Sequence, residues 1–160
     1  MNKISIEIKW GVIFTIVTLL WMVFEKAMGW HDVLIAKHAI YTNFFGIIAV
    51  LIFVLALRDK KLNFYNGIMT WRQGFVAGLI VTIVVTVLSP LSQFIISTYI
   101  TPYYFNNIIA YSVEIEAMNQ EQAEAYFNLK SYIIQATFGA LVMGVVTSAA
   151  VAWILKTKKE

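Results

Sequence analysis

Long uncharged apolar runs, separated by short clusters of charge, set the pattern of this chain. The hydrocarbon core of a membrane is about 30 Å thick, and a helix rising ~1.5 Å per residue needs about 20 residues to cross it. Four runs reach that length: residues 10–30, with Glu25 and Lys26 near the end; 39–57, stopped by Arg58-Asp59-Lys60-Lys61; 74–100; and 133–155, stopped by Lys156-Thr157-Lys158-Lys159. Ile, Val, Leu and Phe fill them without strict alternation, so helices are predicted rather than barrel strands. The expected fold is an all-α polytopic bundle of four transmembrane helices, one domain over residues 1–160, with residues 101–132 as an outer loop.

Composition strengthens that expectation. The chain has 160 residues, 60% of them hydrophobic and 13% charged, and its mean hydropathy is +0.74. A soluble domain of this length has too little interior to hide so much apolar surface. Lys3, Lys9 and a loose small-residue site at Ala27-Met28-Gly29 also fit a secretory signal, but Glu25 and Lys26 interrupt it, and Trp10 and Trp30 sit as interface anchors. There is no cysteine, which removes disulfides, thiolate nucleophiles, iron–sulfur clusters and Cys-type zinc sites. The net charge of +3 comes from residues flanking the apolar runs rather than from a separate basic stripe. The expected partner is therefore the lipid bilayer, with no nucleic acid.

The same charges predict an orientation, because Lys and Arg beside spans are retained on the cytoplasmic side. With four spans both termini share a side. Placing them inside puts Lys3, Lys9, Arg58, Lys60, Lys61, Arg72, Lys156, Lys158 and Lys159 there, against Lys26, Lys37 and Lys130 outside. Trp10, Tyr65, Trp71 and Trp153 then fall at the inner interface, and Trp30, Tyr41, Tyr99, Tyr103, Tyr104 and Tyr132 at the outer one; Trp21 fits neither.

Small residues supply the packing signal. Gly74, Gly78, Thr82, Thr86 and Pro90 recur every four residues on the third span, and Ala136, Ala140, Gly144, Ser148 and Ala152 on the fourth. Such stripes allow the close backbone approach that drives helix association in lipid, so these two helices are expected in contact. Packing within the chain is the first reading and homo-oligomerisation the second. Gly11, Thr15 and Thr18, and Thr42 and Gly46, give a weaker signal on the first two spans.

Glu25 is the ionisable residue nearest hydrocarbon depth and a functional candidate by default. Buried, it could carry a proton or bind a cation; at the interface it would be a solvated helix-end charge. His31, Asp32, Lys37 and His38 continue the polar connection, which reads either as a hydrophilic turn or as a metal or acid–base cluster. Seven residues of helix hold two imidazoles about 10 Å apart, too far to share an ion unless the segment is non-helical. No metal or cofactor is expected on that ground, and Asp32 is expected as the N-cap of the second helix. Ser89, Pro90 and Gln93 concentrate polarity in the third span. The proline frees the Thr86 carbonyl and bends the helix, either lining a cavity or finding a partner such as Gln135 or Asn43.

In the outer loop Glu114, Glu116, Glu121 and Glu124 are acidic, while Ile115, Met118, Ala125 and Leu129 could share a helical face. Asn119 and Gln122 form a capping-box pattern, predicting a helix from about Gln120 that runs on into the fourth span. It reads as a solvated lid, or as a docking or gating surface.

Several short motifs taken together resemble a known family: Lys9-Trp10-Gly11, Glu25-Lys26, Gly29-Trp30-His31-Asp32, Arg58-Asp59-Lys60-Lys61, Gly74 and the long outer loop. The chain is similar to a bacterial family of small four-helix integral membrane proteins catalogued only as a domain of unknown function. That resemblance implies a four-span inner-membrane protein and no catalytic residue, cofactor or substrate. Three functional readings follow. One is a non-enzymatic accessory, assembly or lipid-interacting protein, partnered by another membrane protein or a second copy. Another is a small transporter using Glu25 and the Pro90 kink. The last is an enzyme acting on a lipid-linked substrate, which requires Glu25, His31, Asp32 and His38 to converge.

Overall fold

The structure is a computed structural model and describes residues 4–157; Lys3, Lys158 and Lys159, used above for orientation, lie outside that range. Its elements are α1 (Ser5–Ala27), α2 (Ile35–Tyr41) running through a short 3₁₀ turn into α3 (Phe45–Asn63), α4 (Trp71–Ile95) ending in a π turn (Ile96–Ile100), α5 (Tyr104–Glu114), α6 (Gln120–Tyr126) and α7 (Leu129–Leu155). No strand occurs among the described residues. Four stretches are long and apolar enough to cross a membrane: Ser5–Ala27, Ile35–Asn63, Trp71–Ile100 and Leu129–Leu155. They form the expected helical bundle, with the two ends of the described chain at one pole and α5 and α6 as a cap at the other.

The tightest pair is α4 against α7, and glycine explains why. A Cβ built on Gly78 would stand 2.6 Å from the Ser148 Cβ, and one on Gly144 would stand 3.0 Å from the Thr82 Cβ. Gly74 likewise faces Ala152. The two small-residue stripes therefore mesh antiparallel, and the hydroxyls of Thr82 and Ser148 meet at 3.3 Å. Gly11 brings α1 against α4 in the same way, beside Val84. Phe53 and Leu57 of α3, Val81 and Val85 of α4 and Val151 of α7 make the core, with Trp10 and Phe14 packed on it. That core fills the half of the bundle nearer the two ends of the described chain.

Charge is used structurally at this pole. Lys60 and Glu7, both buried, pair at 2.8 Å, and the Lys60 ammonium lies 3.7 Å from the Phe64 ring centroid. Asp59 accepts from the Trp10 indole at 2.7 Å and from Lys9. Lys61 donates to the Leu155 carbonyl at 2.8 Å, supplying a cation and a donor where the last carbonyls of α7 lack helical partners.

The cap departs from expectation. An extra helix, α5, occupies the start of the outer loop. It ends where Glu116 takes a φ of +55°, so Ile115 and Met118 lie in a turn and the apolar face drawn through them, Ala125 and Leu129 does not form. Ala123 is the fully buried residue of α6. Asn119 and Gln122 do form the capping box, but the helix they start does not continue into α7. Phe127 leaves helical geometry, and the Asn128 side chain accepts from the Ser131 N–H at 3.0 Å, starting α7 afresh.

Candidate functional site

Gly29 creates the site. It takes a φ of +73° immediately after α1, a left-handed conformation that glycine adopts without a Cβ penalty. Its N–H donates to the Lys26 carbonyl at 3.0 Å and the Trp30 N–H to the Glu25 carbonyl at 3.1 Å, the paired bonds of a Schellman helix stop. The chain turns back through residues 28–34, where the Leu34 N–H returns to the Gly29 carbonyl at 2.8 Å. Trp30 is buried under the turn, 4.7 Å from Tyr41 and 5.5 Å from Phe24 between ring centroids.

This reversal sets His31 over Glu25. Glu25 is fully buried at 0% exposure. Its Oε2 lies 2.9 Å from His31 Nε2 and 3.5 Å from His38 Nδ1, while its Oε1 accepts from the Trp21 indole N–H. The expected 10 Å separation of the imidazoles assumed helix between them. Residues 28–34 are turn, and the two rings instead stand 5.0 Å apart between centroids. One donor atom from each of Glu25, His31 and His38 lies within 4.8 Å of the others. The separation at 3.5 Å is an ion-pair distance without hydrogen-bond alignment, and His38 Nδ1 has no hydrogen-bond partner.

The cap closes over this cluster. Tyr104 of α5 packs edgewise on both imidazoles, 5.3 and 5.1 Å between centroids, and its hydroxyl meets that of Tyr132 at 3.2 Å. Burial, and then the neighbouring Tyr132, pushes the Tyr104 phenol up from its ordinary value, so it stays a neutral hydroxyl. Asn107 donates to the His31 carbonyl at 2.9 Å.

The other candidates are placed differently. Asp32 is exposed, and its carboxylate accepts from the Val33 N–H. It does not cap α2, whose N-cap is Leu34, because the glycine turn carries its side chain away from the helix start. Pro90 lies inside α4, and the freed Thr86 carbonyl accepts from the Ser89 hydroxyl at 2.9 Å, not from Gln135 or Asn43. The Ser89 hydroxyl also meets Thr137 of α7 at 3.2 Å.

Two cavities connect these features. A largely apolar one of about 330 Å³ lies between α1, α3, α4 and α7, bordered by Thr18, Gly46, Ser89, Gln93, Gly139 and Met143. A more polar one of about 160 Å³ reaches His31, His38, Thr42, Thr101 and Tyr104. Gln93 and Ile96 line both. Gly46 and Gly139 meet nothing within 4 Å of a built Cβ, and both are exposed, so the larger cavity opens sideways between α3 and α7.

Four apolar spans around a side-opening cavity, with a buried carboxylate and two imidazoles at one end, define a multi-pass helical membrane protein. The chain belongs to the family DUF4199, proteins of unknown function, which it matches over residues 9–157. No curated protein and no solved structure matches it.

Proposed function

We propose that this protein is a lipid-interacting protein of the inner membrane that binds one amphiphilic, lipid-like molecule. The tail occupies the cavity between the four spans, and the polar head lies beneath the cap against Glu25, His31 and His38. The observation that carries this reading is that an apolar cavity and a more polar one lie side by side, sharing Gln93 and Ile96 in their linings. A volume of about 330 Å³ is at the lower end of the ~300–1,000 Å³ usual for small-molecule sites and suits one chain. The open glycine rims at Gly46 and Gly139 give lipid a lateral entry.

Transport asks Glu25 to face the interior, which it does. However, the packed Phe53, Leu57, Val81 and Val151 fill the other half, favouring one-sided binding over a path through. Lipid-linked catalysis asks for four convergent polar residues, and Asp32 is not among the three that meet. The same reading has both termini in the cytoplasm, which the basic residues flanking the spans support.

Native mass spectrometry after mild extraction into lipid nanodiscs tests the reading. The expected spectrum shows one bound lipid per chain, lost when Gly46→Leu and Gly139→Leu fill the cavity. Equal lipid retention in that double variant overturns it. A stoichiometric second protein in place of any small molecule overturns it in favour of the accessory or assembly reading.

A further inference from the structure

We propose that Glu25, His31 and His38 are the protein ligands of a divalent first-row transition-metal ion, with a remaining coordination position facing the polar cavity. The inference concerns the polar end of the proposed lipid site, yet it rests on the three side chains alone.

Geometry carries it. Tetrahedral zinc, with bonds of about 2.0–2.2 Å, sets its ligand atoms ~3.3 Å apart. Glu25 Oε2 stands 2.9 Å from His31 Nε2 and 3.5 Å from His38 Nδ1, separations on either side of that edge. Two imidazole nitrogens thus stand within 3.5 Å of one carboxylate oxygen. In the protein alone that oxygen bonds with His31, and His38 Nδ1 is left buried without a hydrogen bond. The third edge, between the two imidazole nitrogens, lies within 4.8 Å, so a small inward rotation of the rings lets one ion bond all three atoms.

The surroundings fit the same use. Two nitrogens and one carboxylate, without sulfur, make the His₂Glu set found at open zinc sites and resemble the two-His, one-carboxylate set of non-haem iron. Trp21 holds the other carboxylate oxygen, which turns Oε2 toward the imidazoles, as partners outside a ligand set commonly do. His31 Nδ1 is buried without a partner, so that ring is held by Tyr104 packing and by Asn107 on its carbonyl. Thr42, Gln93, Ser97 and Thr101 border the open side. One carboxylate and two neutral imidazoles leave a divalent ion with net positive charge, which suits an anionic or water oxygen from a headgroup in the remaining position.

Full-length protein in nanodiscs, stripped with chelator, is titrated with Co²⁺ and then with Zn²⁺. The expected result is one equivalent of Co²⁺ per chain with the intense visible bands of a four-coordinate ion, displaced by Zn²⁺. Trp21→Phe weakens binding by about 10–100-fold, His38→Ala and Glu25→Gln by more, and Asp32→Asn leaves it unchanged. Absence of a Co²⁺ equivalent in the unmodified protein overturns the proposal, whether or not any variant folds. So does binding that survives in the Glu25→Gln, His31→Ala, His38→Ala triple variant. The two proposals fail separately: lipid without metal refutes this one, and metal without lipid refutes the cavity reading.

Discussion

Two glycines five residues apart on α7 separate packing from propensity. A Cβ on Gly144 would meet Thr82 Cβ at 3.0 Å and its Cγ2 at 2.4 Å, whereas one on Gly139 would meet nothing within 4 Å. Alanine relieves the ~1 kcal/mol propensity cost of glycine at either site, but at position 144 it also forces the helices apart, an overpacking cost of about 1–3 kcal/mol. Gly144→Ala is expected to lower the thermal midpoint in nanodiscs, and Gly139→Ala to leave it level or raise it. Equal effects would mean the α4–α7 seam is looser than the glycine contacts require. At this scale the sequence was informative: the four-residue stripes mark Gly74, Gly78, Gly144 and Ser148, and the rarity of charge in apolar runs marks Glu25. It says less about Trp21, assigned to neither interface, although it stands four residues before Glu25 and so on the same helical face. Tyr104 and Asn107 carry no local signal, because their role comes from a cap that closes over residues more than sixty positions earlier.

Among the elements, α4 depends on a repair at its proline. Pro90 has no N–H for the Thr86 carbonyl, and the Ser89 hydroxyl supplies the donor at 2.9 Å. Ser89→Ala is expected to cost about 1–3 kcal/mol by leaving that carbonyl unpaired, and less in a Pro90→Ala background, where the new backbone N–H takes over. The coupling is read from a double-mutant cycle of unfolding free energies; strict additivity would show that Ser89 acts only through Thr137. The polar residues around Pro90 announce such a repair in the sequence, without saying which one makes it. The turn at 28–34 shows how one residue decides a site. Reading His31 and His38 on one helix separates them by two turns, whereas a glycine just past an apolar run is a helix-stop signal, and the turn that follows it, through residue 34, replaces the first part of that helix. Gly29 was the available clue. The break between α6 and α7 is a similar case, with Asn128 acting as a second cap within three turns of Asn119 and ending the continuity that the apolar pattern suggested.

For the molecule as a whole, the two poles carry different charge for different reasons, and this bears on how the protein sits in a membrane. Lys9, Lys60 and Lys61 at the chain-end pole are tied to Asp59, Glu7 and the Leu155 carbonyl, so much of this basic charge is fixed in the fold. Arg58 and Arg72 remain exposed beside them. The capped pole is acidic on its exposed face through Glu114, Glu116, Glu121 and Glu124. Lys and Arg near span ends resist translocation while acidic residues contribute little; Lys9, Arg58, Lys60, Lys61, Arg72 and Lys156 at the chain-end pole outnumber Lys26, Lys37 and Lys130 at the capped one, so the capped pole, with Glu25 and its imidazoles, is expected on the outer side. The absence of cysteine makes a direct measurement clean. Ile68→Cys lies in the exposed turn between α3 and α4, and Glu121→Cys on the exposed face of α6. A membrane-impermeant maleimide applied to sealed right-side-out vesicles is expected to label the second and spare the first, with the pattern exchanged in inverted vesicles. The opposite pattern would put the buried cluster on the cytoplasmic side. A headgroup reaching Glu25, His31 and His38 would then have to come from the inner leaflet, and a bound ion would exchange with the cytosolic metal pool.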